Sequence, residues 1–185
     1  MTREQEAKMN AADTLETTQY LTFKLDDEVF ALDITKVREV LDFTTITKVP
    51  RTPEFMRGVI NLRGSVVPVV DLRLKFGMTK TEQTVNTCII ITEVTLDGET
   101  TVLGALADSV QEVMDLGSDH IEPAPKIGTK LNTEFIKGMG KHNDGFVIIL
   151  DIDRVFSTDE LASVQPGQGG IGSTVGNQPP AVDGN

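Results

Sequence analysis

Asp71 and Asp151 are the residues whose spacing first suggests chemistry, because each follows an apolar run and the two runs match. Val67-Pro68-Val69-Val70-Asp71-Leu72 lies over Val147-Ile148-Ile149-Leu150-Asp151-Ile152 without a gap. Two aspartates in a doubled β-protein could form a proton-sharing dyad, which requires each Asp in a tight turn followed by Thr or Ser and Gly. Here Leu72-Arg73 and Ile152-Asp153 follow, and such bulky residues forbid that turn. Helix N-capping is the role expected for both. Cys88, His120 and His142 have no metal-ligand spacing, and the chain has no HExxH, CxxC or EF-hand pattern. His120 and His142 stand among polar residues and read as exposed loop histidines. No glycine-rich phosphate loop precedes a helix, and no Ser or Cys nucleophile has a base in a recognisable motif. The expectation is no catalytic residue, no metal, no cofactor and no enzyme.

The bulk properties narrow the remaining classes. The chain has 185 residues, 39% of them apolar, with one Tyr and no Trp, so Val, Ile, Leu and Phe must fill the core. A net charge of −11 repels phosphate backbones, and few aromatic platforms are present for bases, so no nucleic acid is expected as a partner. Cys88, alone and within an apolar run, reads as a small buried residue. No apolar stretch approaches the roughly 18 residues of a membrane helix, and MTREQEAKMN carries no signal-peptide core. A cytoplasmic protein is expected.

The positions above must be held by strands. Tyr20 to Leu25 turns at Asp26-Asp27 into Val29 to Leu32, and Val59 to Leu62 turns at Arg63-Gly64 into Val66 to Val70. Cys88 to Leu96 turns at Asp97-Gly98, a strong hairpin signal, into Thr100 to Leu106. Gly145 to Leu150 reads as a last buried strand. Short helices are expected at Thr35 to Leu41 and after Asp71 and Asp151. Pro68 suggests an edge or a barrel corner, and the many short strands suggest small closed barrels. Residues 1–18 read as a flexible leader and 19–156 as the folded body. Residues 157–185 read as a short helix followed by a Gly/Pro-rich tail too polar to offset its ordering entropy.

The body repeats itself, with copies at about 20–76 and 87–156. Glu54-Phe55-Met56-Arg57-Gly58 returns 80 residues later as Glu134-Phe135-Ile136-Lys137-Gly138. Val37-Arg38-Glu39-Val40-Leu41-Asp42 returns after 73 residues as Val110-Gln111-Glu112-Val113-Met114-Asp115. Two blocks in the same order imply two related β-subdomains. Positions shared by both copies serve the scaffold; Gly58 and Gly138 are expected at tight turns or close packing. The hairpin loop differs, Asn61-Leu62-Arg63-Gly64 against Lys141-His142-Asn143-Asp144. Folding therefore sets no obvious requirement for Arg63, which by itself reads either as a solvated surface arginine or as a loop-tip residue suited to recognising a carboxylate or carbonyl.

From Gly58 to Gly77, GVINLRGSVVPVVDLRLKFG, the chain resembles the central signature of CheW proteins. The resemblance runs back through Val37 to Val40 and Tyr20 to Ile34. It runs forward through Val110 to Val113, Ile121 to Pro125 and the Asp151 segment. It implies an all-β fold with short helices: a pair of SH3-like, five-stranded β-barrels able to exchange strands, with a groove between them. It also implies a chemotaxis adaptor that couples the cytoplasmic tips of chemoreceptors to the regulatory domain of the histidine kinase CheA. Such an adaptor would meet the membrane only through receptors and would be recruited to their arrays. By position, the resemblance assigns receptor contacts to Val37, Glu39, Asn61, Arg63, Gly64, Val110 and Val113, and kinase contacts to Val40, Gly58 and Ile127. The four valines read equally as core. A paralogue serving array assembly or a non-flagellar pathway is the alternative, and a small-ligand barrel a remote one. A module of CheV or of the kinase itself would need domains for which this length has no room.

Overall fold

The computed structural model describes residues 17–124 and 133–164. Eleven strands form two sheets among these residues: β1 (Thr17–Leu25), β2 (Glu28–Asp33), β3 (Val37–Asp42), β4 (Met56–Leu62), β5 (Ser65–Asp71), β6 (Cys88–Leu96), β7 (Glu99–Ala107), β8 (Ser109–Gly117), β9 (Ile121–Glu122), β10 (Ile136–His142) and β11 (Gly145–Leu150). The helices are α1 (Leu72–Lys75), α2 (Ile152–Val155) and α3 (Thr158–Val164). One sheet runs β8-β1-β2-β11-β10-β9 and the other β3-β6-β7-β5-β4.

The order shows a reciprocal exchange. Setting aside the two-residue β9, the first sheet takes β1 and β2 from the first sequence copy and β8, β10 and β11 from the second; the other sheet takes the complement. The correspondence reaches individual bulges. Arg57 is skipped where β4 pairs β5, and Lys137 where β10 pairs β11. Arg38 is skipped between β3 and β6, and Gln111 between β8 and β1. Each curled sheet encloses a small core, one built on Ile60, Val69 and Ile91 and the other on Tyr20, Met114 and Ile149. A larger cluster containing Phe23, Phe30, Phe76, Ile90 and Phe156 joins the two.

The hairpins at Asp26, Arg63, Asp97 and Asn143 all turn through a residue with φ between 51° and 59°, the left-handed backbone that matches strand twist. Four expectations are corrected. Val37 to Leu41 is strand, not helix: only Ile34–Lys36 forms a 3-10 turn, capped by Asp33, and the segment then pairs with β6. Pro68 is not on an edge strand, since β5 lies between β7 and β4. The parallel ladder to β7 starts one residue later, at Val69, the first position after the proline with an N–H to donate. Cys88 is only half buried, at the start of β6, with its Sγ donating to the Asn86 carbonyl at 3.1 Å. Asp151 precedes α2 but its side chain caps nothing.

Asp71, its counterpart, is fully buried. Its Oδ1 accepts from the Arg73 N–H (3.1 Å) and Thr81 Oγ1 (2.7 Å), and its Oδ2 from the Thr81 N–H and Arg57 Nη1 (both 2.9 Å). The bulge at Arg57 aims that guanidinium at the carboxylate, so four donors satisfy a charge that would otherwise be costly to bury.

Candidate functional site

The turn between β4 and β5 carries the site. Arg63 (φ 51°) and Gly64 (φ 88°) occupy its two central positions, and Asn61 Oδ1 accepts the Gly64 N–H at 2.7 Å. Asn61 and Gly64 thus shape the turn that presents Arg63. Arg63 reaches across to β3, where Nη1 and Nη2 each donate to one Glu39 carboxylate oxygen at 2.7 Å. This is the two-pronged geometry that guanidinium and carboxylate match best. The pair is open to solvent, with the Arg63 side chain 70% exposed. The hydrogen bonds from Arg63, with the charges of Arg63 and Arg38, hold the Glu39 carboxyl below its ordinary range, and the same carboxylate raises the Arg63 guanidinium. Leu62, Val66, Thr101 and Val102 line the open groove beside them.

The second copy builds this corner differently. Asn143 stands where Arg63 does, and Glu112, the counterpart of Glu39, lies 3.3 Å from His142 Nε2. Among the described residues the two-pronged guanidinium–carboxylate pair belongs to the first copy; the second has the single-pronged contact of Lys141 with Glu122 at 2.7 Å.

The structure divides the four valines. Val37 and Val110 are half buried and pack on the central cluster. Val40 and Val113 are 40% and 48% exposed on β3 and β8, which are both sheet edges. The residues expected to face a receptor therefore fall on two different sheets. Gly58 is buried, with φ 144°, and a Cβ there would collide with the Thr47 carbonyl oxygen. That carbonyl accepts the Val59 N–H at 2.8 Å, and the Thr47 N–H returns a bond to the Val59 carbonyl at 2.9 Å. Gly58 thus seats the segment after β3 and presents no side chain. Ile127 lies outside the described residues, as do residues 1–16 and the tail from 165.

Sequence reading passed over Val66 and Phe146, exposed at 58% and 53% and equivalent in the two copies. Each sits next to a buried Val67 or Val147, so a run of apolar residues concealed the outward one. The 80-residue offset, applied to exposed positions, would have paired them.

Two curled sheets that present an exposed ion pair and matched apolar residues on their edges are those of a protein-binding module. The family model for the CheW-like domain matches residues 19–160, and the chain belongs to that family. It is 36% identical to the chemotaxis protein CheW of Klebsiella aerogenes over 79% of this chain and 86% of that one. With the Thermotoga maritima chemotaxis protein CheW it shares 33% identity over 78% and 91%. The crystal structure of scaffolding protein TtCheW from Thermoanaerobacter tengcongensis superposes with a TM-score of 0.68 at 37% identity, covering 77% of this chain and 90% of that one.

Proposed function

We infer that this protein is a chemotaxis scaffold that couples the cytoplasmic tips of chemoreceptors to the regulatory domain of the histidine kinase CheA, acting by binding alone. Membership of the CheW-like family supports the reading. The observation that carries it to a site is the Glu39–Arg63 fork, solvent-exposed and restricted to one copy. An ion pair in open solvent contributes little to folding, so its two-pronged geometry serves recognition better than stability. Receptor contacts are assigned to this corner, with Asn61 and Gly64 as its shaping residues and Val37 as its apolar share, and to Val110 and Val113 on β8 of the other sheet. Kinase contacts are assigned to Val40, to the surface seated by Gly58 and to Ile127. The protein would work in the cytoplasm, drawn to receptor arrays by these contacts.

The test is reconstitution of the purified chain with CheA and receptor-containing membranes, following ATP-dependent phosphorylation. Activation that needs all three components, and that falls about tenfold or more with Arg63→Glu, is the expected result. Binding to either partner without activation would reassign the chain to array assembly. Binding to neither would overturn the reading.

A further inference from the structure

Among the described residues, every Lys and Arg forms an ion pair with a carboxylate except Lys24, Lys48, Arg51, Lys80 and Lys137. Lys48, Arg51 and Lys80 line one open cleft of about 750 Å³. A further cation of its lining, Arg57, is already held by Asp71 and the Thr81 carbonyl. Glu54 is the one carboxylate in that lining, and between the charges the walls are apolar, built from Ile46, Val49, Pro53, Met56 and Leu74. A chain of net charge −11 thus gathers most of its unneutralised positive charge around one apolar hollow.

Arg51 is held there at a cost to the backbone. Its φ is 60°. The other left-handed residues that are not glycine, Asp26, Arg63, Asp97 and Asn143, all stand in hairpin turns, where strand twist calls for that conformation. Arg51 stands in no hairpin, and it carries strain that a glycine would not bear. Among the described residues its side chain makes no hydrogen bond or ion pair that would repay the strain. The segment around it is fixed beforehand: prolines at 50 and 53 set φ on both sides, Thr52 Oγ1 donates to the Val49 carbonyl at 3.0 Å, and the Met56 N–H donates to the Pro53 carbonyl at 3.0 Å. A wall that is already ordered loses little entropy when something docks on it.

We propose that this cleft docks an acidic segment of a partner protein, whose carboxylates meet Lys48, Arg51 and Lys80 and whose apolar side chain enters between them. Nucleic acid is the poorer fit, because the acidic surroundings repel a long polyanion and the apolar walls would go unused. Thr45 and Ile46, from the segment seated by Gly58, line the cleft, so it borders the surface assigned to the kinase; its charge and shape stand without that assignment.

The test is fluorescence anisotropy with the full-length protein and a labelled peptide in which Leu-Phe is flanked on both sides by Asp and Glu. Lys48→Glu/Lys80→Glu is expected to weaken binding about tenfold or more. Lys24→Glu/Lys137→Glu changes the net charge equally outside the cleft and should weaken it less than about threefold, since salt screens distant charges. Arg51→Gly should weaken binding about threefold while leaving the urea midpoint unchanged or raising it, because glycine takes a positive φ freely. Replacing Leu-Phe in the peptide by Gly-Ser should cost about tenfold. No binding by the parent, equal losses for the two charge pairs, a urea midpoint that falls with Arg51→Gly, or undiminished binding of the Gly-Ser peptide would each overturn the proposal. None of these readouts contains kinase or receptor, so kinase activation by the parent is decided separately.

Discussion

Lys75 Nζ lies 2.8 Å from Glu160 Oε2 and 5.4, 5.5 and 5.9 Å from the ring centroids of Phe55, Phe135 and Phe156. Glu160 Oε1 accepts the Ser157 N–H at 2.9 Å, and Ser157 Oγ accepts the Glu160 N–H at 3.1 Å, a capping box at the start of α3. One carboxylate therefore both starts the helix and fastens it to a lysine among aromatic rings from both copies. Leu161 and Val164 then reach the central cluster.

That arrangement is pH-dependent. Burial works to raise the Glu160 carboxyl, but the hydrogen bonds from Lys75 and Ser157 and the Lys75 charge outweigh it and hold it below 4.5. A carboxyl depressed in the fold stabilises it above its unfolded value and loses that contribution as pH falls through the folded one. Glu160→Gln is expected to lower stability near pH 7 by about 1 kcal/mol. In urea melts the gap to the parent should close as pH falls below about 4.5. A gap that stays constant to low pH would show that the ionised form is irrelevant.

Arg63→Glu is expected to leave the melting temperature within about 2 °C of the parent while abolishing receptor-dependent kinase activation. Glu39→Arg combined with Arg63→Glu rebuilds the pair in reverse and should not restore activation, because the partner meets the opposite order of charge. Recovery by the double variant would make the pair a structural element only.

Gly58→Ala should cost about 3 kcal/mol, as it combines a strained φ with a collision against backbone. Gly138→Ala, whose Cβ would meet the Ile121 methyl group at 2.6 Å and the Glu122 carbonyl oxygen at 3.1 Å without a positive φ, should cost about half as much. Urea denaturation of the two variants measures the difference.

Asp71→Asn removes the buried partner of Arg57 and should cost about 3 kcal/mol. Asp151, 35% exposed and 3.6 Å from Arg154, should tolerate Asn within about 0.5 kcal/mol. Equal costs in thermal melts would refute this difference between the two aspartates.

The hairpins, both short helices after Asp71 and Asp151 and the two-copy organisation were legible in the residues, because turn chemistry, period-2 patterning and internal repetition are local properties of the chain. So was the loop of Arg63 as the place where two otherwise similar blocks diverge. Local signals also explain the misreadings. Val37-Arg38-Glu39-Val40 carries a bulge at Arg38, and a bulge interrupts the alternation that marks a strand, so the segment looks helical.

Tertiary structure alone decided which strands meet. A sheet edge carries no address in sequence: β2 and β11 pair in parallel across more than a hundred residues, and only shared burial in the central cluster selects that pairing over closure within each copy. The same holds for the aspartates. Asp71 and Asp151 each follow an apolar strand and precede an apolar residue, yet one is buried with four donors and the other half exposed. The difference comes from residues 77–87 folding back over the first and from no equivalent segment meeting the second among the described residues. The contact of Glu39 with Arg63 likewise depends on β3 and the β4–β5 turn converging in space, which neither segment encodes by itself.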